Sequence, residues 1–363
     1  MKIVLAGGFL GAGKTTLLME AAARLRQRGI PAGLITNDQV PDLVDTALLA
    51  QSGAPVREVA GSCFCCNFAA FQQAVKSLED DGAQCVVAEP VGSCTDLTAT
   101  IIQPMKKLFS SWSLAPLSVV ADPERVRGIL RDRQSPLHPD AAYILRLQLQ
   151  EADRIVLNKA DTLSRPDRQE LTAMLAREFP QARIDVVSAW TGEGVDEWLD
   201  HILNEGNAGS HIAPVDYDRY ANGEAVLGWL NALVNLRWVD GLEARWEDFA
   251  AGLFSAMQHE LQATNSEIGH MKIWIDNTGG TLAANLTGLN NAVTVRTTGS
   301  LERLTATMIV NARAQIAPEG IEKTFRHALT TAAYSRVAAT IQALHCIRPG
   351  RPVPTHRYES AIQ

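Results

Sequence analysis

The segment that most constrains the fold of this chain is its N-terminus, where an apolar run passes into a glycine-rich turn and then into good helix formers. Residues 3–6 have the composition of a buried parallel strand, and the turn matches the pattern G-x-x-x-x-G-K-[ST] from Gly8 to Thr15. Glycines let the backbone curl with its N–H groups pointing inward, and the helix that follows directs the positive end of its dipole to the same place. The sequence therefore predicts a phosphate-binding loop.

Two side chains of this loop have predicted roles of their own. We expect Lys14 to reach the terminal phosphates of a nucleotide and the hydroxyl of Thr15 to ligate Mg²⁺. A glycine-rich turn that binds nothing is the alternative, but the strand before and the helix after favour the phosphate loop. The nucleotide-binding residues predicted here are Gly8, Gly11, Ala12, Gly13, Lys14, Thr15 and Thr16.

The phosphate loop opens a repeated pattern that extends over the first half of the chain. Apolar runs of four or five residues alternate with helical segments, and each run ends in a polar residue: Asn37 and Asp38, Glu89, Asp122, Asn158, and Ser188. Such runs are typical of parallel strands that are buried on both faces. We predict an α/β domain with a doubly wound, mostly parallel sheet over residues 1–205, whose ligands bind at the carboxyl ends of the strands.

The alternation stops in a small, polar stretch, so we predict a linker over residues 206–222. A smaller α+β domain is expected over residues 223–345, followed by an extended, proline-rich tail over 346–363. The pattern in this half predicts strands, hairpin turns, one amphipathic helix, and a second long helix. They are the strands within 226–238 and 268–276, the turns at 279–280 and 290–291, the helix over 246–262, and a helical pattern after Pro318 that includes Val337, Ile341 and Leu344.

Length and charge limit the classes of protein to consider. With 363 residues, about two domains are expected, and 46% hydrophobic with 20% charged residues is a globular composition. The net charge of -7 argues against nucleic-acid binding, and no apolar stretch suits a membrane span. The first residues resemble the start of a signal peptide, but glycines and Lys14 interrupt the apolar run. We expect a cytosolic protein.

A second motif predicts which nucleotide is bound. Asn158, Lys159 and Asp161 follow a strand and match N-K-x-D. The carboxylate of Asp161 can only accept hydrogen bonds, which suits the N1–H and amine of guanine, whereas adenine offers an acceptor at that position. Ser188 and Ala189, after another strand, can supply a backbone N–H to the base carbonyl. The sequence therefore predicts GTP as the nucleotide, with a surface turn as the alternative interpretation of the motif.

Acidic residues at two strand ends are candidates for metal-assisted hydrolysis. Glu89 stands where nucleotide hydrolases place an acid for the Mg²⁺ shell, and Gly92 where a backbone N–H senses the γ-phosphate. Asp38 is a second candidate for the metal shell or for positioning water, although both acids could instead be turn or cap residues. Because Ser93 follows Gly92, no water-positioning glutamine is evident, and slow hydrolysis is expected. The predicted catalytic residues are Lys14, Asp38, Glu89 and Gly92, with Thr15 and Glu89 as Mg²⁺ ligands.

Five of the six cysteines fall between Cys63 and Cys94, which in a reducing compartment suggests metal or redox chemistry. Cys63, Cys65 and Cys66 can converge on one tetrahedral Zn²⁺ only if their segment is bent, since neighbouring residues of a straight strand point to opposite faces. Three thiolates leave a fourth position open, which suits a transient site, and soft ligands favour Zn²⁺ or Cu(I) over Mg²⁺. Buried, apolar cysteines are the alternative, and whether Cys94 joins the site is left open.

Taken together, these residues resemble the CobW-type P-loop GTPases, relatives of the nickel-insertion GTPases for hydrogenase and urease. The likeness covers the whole N-terminal domain and is weak beyond it, where it is limited to a domain of suitable size with a strand over 268–272. Two features depart from the family pattern: Ser62 precedes the cysteines where glycine is usual, and the eight histidines form no His-rich tract. The resemblance rests on 8–16, 36–38, 58–66, 89–92 and 158–161.

The resemblance implies a GTP- and Mg²⁺-dependent switch that binds a transition metal at Cys63, Cys65 and Cys66. The sulfur donors favour zinc as that metal. The resemblance also implies delivery of that metal to a client metalloprotein or cofactor-dependent enzyme. Three alternatives remain: a GTPase chaperone for a corrinoid enzyme, which needs no thiol site, a zinc-sensing regulator with a vestigial GTPase, and, least favoured, a small-molecule kinase. The sequence names neither the physiological metal nor the client, and leaves open whether the chain forms a homodimer.

Overall fold

The structure is a computed structural model that describes residues 1–40, 43–131, 137–239 and 244–362. The chain forms two compact units. The first consists of Met1–Gln39, Leu49–Gly223 and the C-terminal segment from Arg351, and the second of Val40–Leu48 and Glu224–Gly350. Each unit therefore combines segments that are far apart in the sequence.

The first unit is built on an eight-stranded sheet in which every observed pairing is parallel. The strand order is β3-β2-β4-β1-β6-β7-β8, with the short β5 also paired to β1. This arrangement confirms the predicted mostly parallel sheet. The strands are β1 (Lys2–Gly7), β2 (Ala32–Asn37), β3 (Val56–Val59), β4 (Cys85–Ala88), β5 (Ser113–Leu114), β6 (Ser118–Ala121), β7 (Arg154–Leu157) and β8 (Arg183–Val186).

Helices cover both faces of this sheet. Leu34 of β2 joins a buried cluster with side chains of the first and eighth helices, while a Cβ on its neighbour Gly33 would come within 2.8 Å of Leu78 in the third helix. The helices whose residues lie in this unit are α1 (Lys14–Gln27), α3 (Phe68–Asp80), α4 (Gln103–Leu108), α5 (Pro123–Leu130), α6 (Pro139–Glu151), α7 (Arg165–Glu178) and α8 (Val195–Asn204). A π-helical turn, Thr98–Ile102, precedes α4, and a 3₁₀ turn, Ala160–Thr162, precedes α7.

The division of the chain into units falls within two further helices, α2 (Val44–Ala50) and α9 (Tyr217–Ala225). No helix within the described ranges is both long and apolar enough to cross a membrane.

The segment expected to be a linker, residues 206–222, lies in the first unit instead. The backbone N–H of Gly209 donates a 2.6 Å hydrogen bond to Asp153, and that of Asp216 donates a 2.8 Å bond to the hydroxyl of Tyr143. Small, polar residues suit a linker, but they equally allow the backbone to follow a folded surface and find acceptors there.

The second unit is an antiparallel sheet with two helices packed on one face. The strand order is β12-β11-β10-β13-β9-β14. On the other face, Val44 of α2 packs with Trp274 and Ala283. The elements are β9 (Gly228–Trp238), α10 (Trp246–Ala263), β10 (Ile268–Asp276), β11 (Gly280–Leu286), β12 (Thr294–Gly299), β13 (Thr305–Ala314), α11 (Pro318–Ala333) and β14 (Val337–Ile347). This sheet with its helices is the predicted α+β domain.

The end of the second unit differs from the long helix expected after Pro318. Helix α11 stops at Ala333, and Val337–Ile347 is a strand paired antiparallel to β9. The chain turns at Ser335, whose φ of 51° is left-handed, and β14 carries a register shift between Ile341 and Ala343. Apolar residues around such an irregularity lose the spacing of two that marks a strand, and their spacing then resembles that of a helix, so the helix prediction is wrong here.

Candidate nucleotide and thiol sites

The glycine-rich turn between β1 and α1 has the backbone conformation that a phosphate loop needs. Gly8, Gly11 and Gly13 have φ values of 132°, 76° and 91°, which side-chain-bearing residues rarely adopt. A Cβ on Gly8 would lie 2.2 Å from the carbonyl oxygen of Val120, so only glycine fits there. Gly13 directly precedes α1, and the loop therefore ends at the positive end of a helix.

Lys14 and Thr15, the first residues of α1, meet the acid predicted at the end of β4. The hydroxyl of Thr15 donates a 3.3 Å hydrogen bond to Oε1 of Glu89, and Nζ of Lys14 lies 3.8 Å from the same oxygen. All three side chains are buried. A hydroxyl and a carboxylate this close are the hard oxygen donors that Mg²⁺ prefers, so these residues fit a magnesium site.

The other two predicted catalytic residues lie at neighbouring positions. A Cβ on Gly92 would come within 3.2 Å of Nζ of Lys14, which places the backbone of Gly92 against the lysine. Asp38 follows β2, the strand next to β4, and is buried. Its backbone N–H donates to Val59, and its own carboxylate accepts a 2.6 Å hydrogen bond from the N–H of Gln39.

The predicted base-recognition residues come together at the ends of β7 and β8. The amide of Asn158 donates to the carbonyl oxygen of Ala12 and accepts from the N–H of Ala189, both at 2.9 Å. Asp161 accepts a 2.5 Å hydrogen bond from the hydroxyl of Ser188. Asn158 thus ties the phosphate loop to the segment expected to contact the base.

Asp122 is a residue of this region to which the sequence pattern assigned no role. Lys159 adopts a left-handed conformation, φ 56°, and its Nζ donates a 2.6 Å hydrogen bond to Asp122. Burial opposes ionisation of Asp122, but the ammonium of Lys159 keeps the pKa of the carboxyl below its ordinary value. Asp122 also caps the N-terminus of α5. Its position at a strand end was the signal available in the sequence.

The three cysteines of the C-x-C-C motif form a cluster between β3 and α3. The Sγ atom of Cys63 lies 3.1 Å from those of both Cys65 and Cys66, and the latter two are 3.8 Å apart. The N–H groups of Cys66 and Asn67 both donate to the carbonyl oxygen of Cys63, so the segment makes a tight turn. This turn is the bend that the sequence required, and it brings neighbouring residues to one side.

Asn37, at the end of β2, holds the loop that carries these cysteines. Its amide donates 2.8 Å hydrogen bonds to the carbonyl oxygens of Val59 and Ser62 and accepts a 3.0 Å bond from the N–H of Phe64. Asn37 directly precedes Asp38, so the thiol loop is fastened to the strand that carries a predicted catalytic acid. The sequence marked Asn37 as a polar strand end but gave no indication of this function.

The thiols influence one another's ionisation. Hydrogen bonding with Cys65, Cys66 and Cys94 lowers the pKa of Cys63. The hydrogen bonds to Cys63 raise the pKa of Cys65, and raise that of Cys66 to about 11. One thiolate therefore forms ahead of the other two, and a cation would favour loss of the remaining protons.

The cluster has the donor set of a soft-metal site. Within the described residues, Cys63, Cys65 and Cys66 are the group whose ligand atoms all lie within 4.8 Å of one another. Cys94 hydrogen-bonds to Cys63 but lies outside that group. Three sulfur donors suit Zn²⁺ or Cu(I) better than Mg²⁺.

Comparisons with solved structures give weak overall matches. Nickel-bound HypB from Helicobacter pylori is 17% identical, with a TM-score of 0.40 over 55% of this chain and 85% of that one. Zn(II)-bound YjiA GTPase from E. coli is also 17% identical, with a TM-score of 0.37 over 90% of this chain and 98% of that one.

Curated relatives match part of the chain. The zinc chaperone CobW of Pseudomonas aeruginosa is 27% identical over 224 residues, which covers 53% of this chain and 57% of the relative. The zinc chaperone YeiR of Escherichia coli is 31% identical over 172 residues, 45% of this chain and 48% of the relative. The chain thus spans about half the length of the curated relatives it matches. The family model described as "CobW/HypB/UreG, nucleotide-binding domain" matches residues 2–184. The chain belongs to this family.

Proposed function

We propose that this chain is a GTP-hydrolysing metallochaperone that delivers a transition metal ion to a client protein. The ion, for which zinc is the preferred candidate, is held at Cys63, Cys65 and Cys66. The observation that carries the proposal is the cluster of three thiols within 4.8 Å of one another, fastened by Asn37 to the strand end that bears Asp38. The names of the curated relatives, both zinc chaperones, support zinc as the cargo.

The donor set suits cargo better than a permanent structural metal. Structural zinc sites usually close with four protein ligands, whereas three thiols leave a position for water, a nucleotide or an accepting side chain. Cys63 and Cys65 are buried and Cys66 is half-buried, so Cys66 is the most accessible of the three thiols. An accepting thiol or imidazole would therefore approach from the side of Cys66 and take over the ion by ligand exchange.

Each residue of the nucleotide site has a task of its own. Backbone N–H groups from Gly8 to Thr16 and the ammonium of Lys14 hold the phosphates, while Thr15 and Glu89 hold Mg²⁺. When bound, Mg²⁺ neutralises charge on the phosphate oxygens. Asn158, Lys159, Asp161, Ser188 and Ala189 form the guanine site.

Hydrolysis by the chain alone should be slow. Gly92 is followed by Ser93, a buried residue that is too short to orient an attacking water as a glutamine does. We therefore assign a turnover of about 10⁻² s⁻¹ or less to the isolated protein, in the range of GTPases without a partner. A client that stimulates hydrolysis would then couple nucleotide turnover to metal transfer.

Nucleotide state should alter metal affinity, because the thiol loop lies in the chain between the two acids expected near the γ-phosphate, Asp38 and Glu89. Competition titrations with a chromophoric zinc chelator test this in the presence of GDP and of a non-hydrolysable GTP analogue. We expect different affinities in the two states and loss of binding in the double variant Cys65→Ser/Cys66→Ser.

The matched control is Cys346→Ser, which removes a half-buried thiol outside the cluster and should leave zinc affinity unchanged. Equal affinities with both nucleotides would refute the coupling. Unchanged zinc binding in the double variant would refute the metal site itself.

A further inference from the structure

The C-terminal tail lies on the cysteine loop through main-chain hydrogen bonds. The N–H of Val353 donates a 3.3 Å bond to Sγ of Cys66, and the N–H of Thr355 donates a 2.8 Å bond to the carbonyl oxygen of Cys65. The hydroxyl of Thr355 adds a 3.2 Å bond to the carbonyl oxygen of Cys66. The tail thus lies against Cys66, the most accessible thiol of the cluster.

The sequence of the tail suits this contact. Residues 352 and 354 are prolines, which have no N–H, so the donors that remain are those of Val353 and Thr355. Prolines also hold a segment extended, and no strand or helix occurs among the described residues 348–362. The side chain of Val353 is 71% exposed, so its main chain rather than its side chain makes the contact.

Beyond Thr355, the tail remains attached to the first unit. The ring of His356 meets that of Phe68, the first residue of α3, edge-on with centroids 5.1 Å apart. The N–H of Tyr358 donates to Ala99, and the N–H of Ile362 donates a 2.7 Å bond to the side chain of Gln103. The contacts between the tail and the first unit therefore extend from the cysteines to α4.

Asp96 is a buried polar anchor of the tail, in addition to the ion pair of Arg351 with Asp218. Nε of Arg357 donates a 2.8 Å hydrogen bond to Oδ2 of Asp96, which also accepts a 2.7 Å bond from the hydroxyl of Tyr217. Asp96 is buried and adopts a left-handed conformation, φ 62°, which is uncommon for a residue with a side chain. The anchor is therefore held in a strained turn, and a change in that turn would move the carboxylate.

This turn belongs to the segment that begins at Gly92, the residue whose backbone lies against Lys14. Nε2 of Gln148 donates to the carbonyl oxygens of both Gly92 and Cys94, at 3.1 and 2.7 Å. The hydroxyl of Thr95 donates a 3.0 Å bond to Glu151, three residues further along α6. Side chains of one helix thus connect Gly92, Cys94 and Thr95 to one another, and Asp96 follows directly, so a displacement at Gly92 can be passed on to Asp96.

We propose that the tail from Arg351 to Ile362 is a strap that closes the thiol cluster, and that its anchor at Asp96 makes closure depend on the loop expected to sense the γ-phosphate. The proposal rests on the metal-carrying and GTP-binding functions proposed above. The strap occupies the surface over Cys65 and Cys66 that an accepting protein must reach, so metal transfer requires its release. Movement of Gly92 with the nucleotide displaces Asp96, weakens the hold on Arg357, and frees the main chain at Val353.

Alkylation of Cys66 in the metal-free protein tests the strap without relying on metal binding. Iodoacetamide labelling, with each cysteine quantified by mass spectrometry, is compared between Thr355→Pro, which loses the hydrogen bonds to the carbonyl oxygens of Cys65 and Cys66, and Thr355→Ser, which retains the N–H and a hydroxyl. The proline variant should label Cys66 about tenfold faster, since loss of a hydrogen bond changes a two-state population by roughly that factor. A chain that ends at Gly350 should label at least as fast. Equal rates in wild type, in the proline variant and in the truncated chain would overturn the strap.

The link to the nucleotide is tested with the same measurement. In wild type, the labelling rate of Cys66 should differ between GDP and a non-hydrolysable GTP analogue. In Arg357→Gln this difference should vanish, whereas Ser360→Ala, an exposed substitution in the same tail, should keep it. A wild-type rate that is the same with both nucleotides would overturn the link. Zinc titration of the wild-type protein is separate: failure to bind zinc would refute the proposed metal function and leave the labelling comparison intact.

Discussion

The side-chain amide of Asn158 donates a 2.9 Å hydrogen bond to the carbonyl oxygen of Ala12, so a residue of the predicted base site directly holds the phosphate loop. The same side chain accepts a hydrogen bond from the N–H of Ala189. Asn158 is buried, and both bonds are therefore shielded from water. Three loops from β1, β7 and β8 thus depend on one amide, although its motif suggested a role toward the base alone.

We expect Asn158→Ala to weaken GTP and GDP binding alike, by about 10- to 100-fold, because two buried hydrogen bonds are lost and their partners are left unsatisfied. Fluorescent-nucleotide titration measures both affinities. The control is Thr162→Val, which removes an exposed hydrogen bond to Lys159 in the same loop and should have little effect. An Asn158→Ala variant with wild-type affinity would contradict this role.

Asp161→Asn should change which base is preferred. The asparagine can still accept from N1–H, but its NH₂ group faces the amine of guanine, whereas xanthine offers a carbonyl oxygen at that position. Affinity for GTP should fall by roughly 10²-fold or more while that for xanthosine triphosphate rises. Competition between the two nucleotides measures the change. Glu193→Gln, an exposed substitution near the end of β8, is the control and should retain the preference for GTP.

Asn37→Ala should weaken zinc binding although all three thiols remain. The substitution removes the three hydrogen bonds that hold the loop from Val59 to Phe64, so ordering of the loop must be supplied by the metal. A loss of about tenfold or more is expected. Chelator competition measures it, with Ser62→Ala as the control because only the backbone carbonyl of Ser62 accepts from Asn37. Equal affinities in wild type and Asn37→Ala would show that the loop is ordered without this residue.

Glu151 makes the stability of the first unit depend on pH. The side chain is fully buried, and desolvation raises the pKa of its carboxyl to about 8, with Asp96 nearby adding to the effect. Between its unfolded value of 4.5 and about 8, the folded state binds more protons than the unfolded state. Stability is therefore greatest below the unfolded pKa and falls as pH rises, by up to about 1.4 kcal/mol per pH unit from this group.

Glu151→Gln removes this titration. Its amide can accept from the N–H of Thr98 and donate to the hydroxyl of Thr95, which replaces the two bonds to the carboxyl. Urea unfolding is measured at about pH 5, 6, 7 and 8. The free energy of unfolding of the variant, relative to that of wild type, should increase at each step. Gln150→Ala, an exposed substitution on the same helix, should follow wild type. A constant difference between Glu151→Gln and wild type would contradict the raised pKa.

Asp185→Ala should destabilise the first unit by about 3–5 kcal/mol, because it leaves a buried guanidinium with fewer partners. Asp185 accepts two 2.7 Å hydrogen bonds from Arg154, and both side chains are buried. Thermal or urea unfolding measures the loss. The comparison is Arg183→Ala, which removes a 74% exposed arginine paired with Glu205 and should cost less than about 1 kcal/mol.

Much of the first unit could be predicted because its patterns are local. Runs such as 85–88 and 154–157 are apolar throughout, as strands buried on both faces must be, and the glycines at 8, 11 and 13 occupy backbone conformations that other residues avoid. The rule that parallel strands present their carboxyl ends at one edge of a sheet predicts the residues at the strand ends as the candidate site. These features need no knowledge of distant contacts.

Prediction failed where the partner of a segment lies far away in the chain. Val337–Ile347 became a strand because β9, about a hundred residues earlier, supplies its hydrogen bonds, and a bulge disturbed the spacing that would have marked it. Residues 206–222 belong to the first unit because acceptors there, such as Asp153 and Tyr143, accept hydrogen bonds from their N–H groups. A single sequence contains no trace of such pairings.

The sequence by itself determined the phosphate loop, the residue types at the strand ends, and the three cysteines, since each of these depends on the chemistry and spacing of neighbouring residues. Only the tertiary structure decided that the side chains of Asn158 and Asn37 hold neighbouring loops by hydrogen bonds. It also decided that Asp122 accepts a hydrogen bond from Lys159, and that the tail lies on Cys65 and Cys66. Each of those contacts joins residues brought together by folding. The physical reason is that hydrogen bonds across long sequence separations exist only after the chain has folded, and leave no periodic pattern behind.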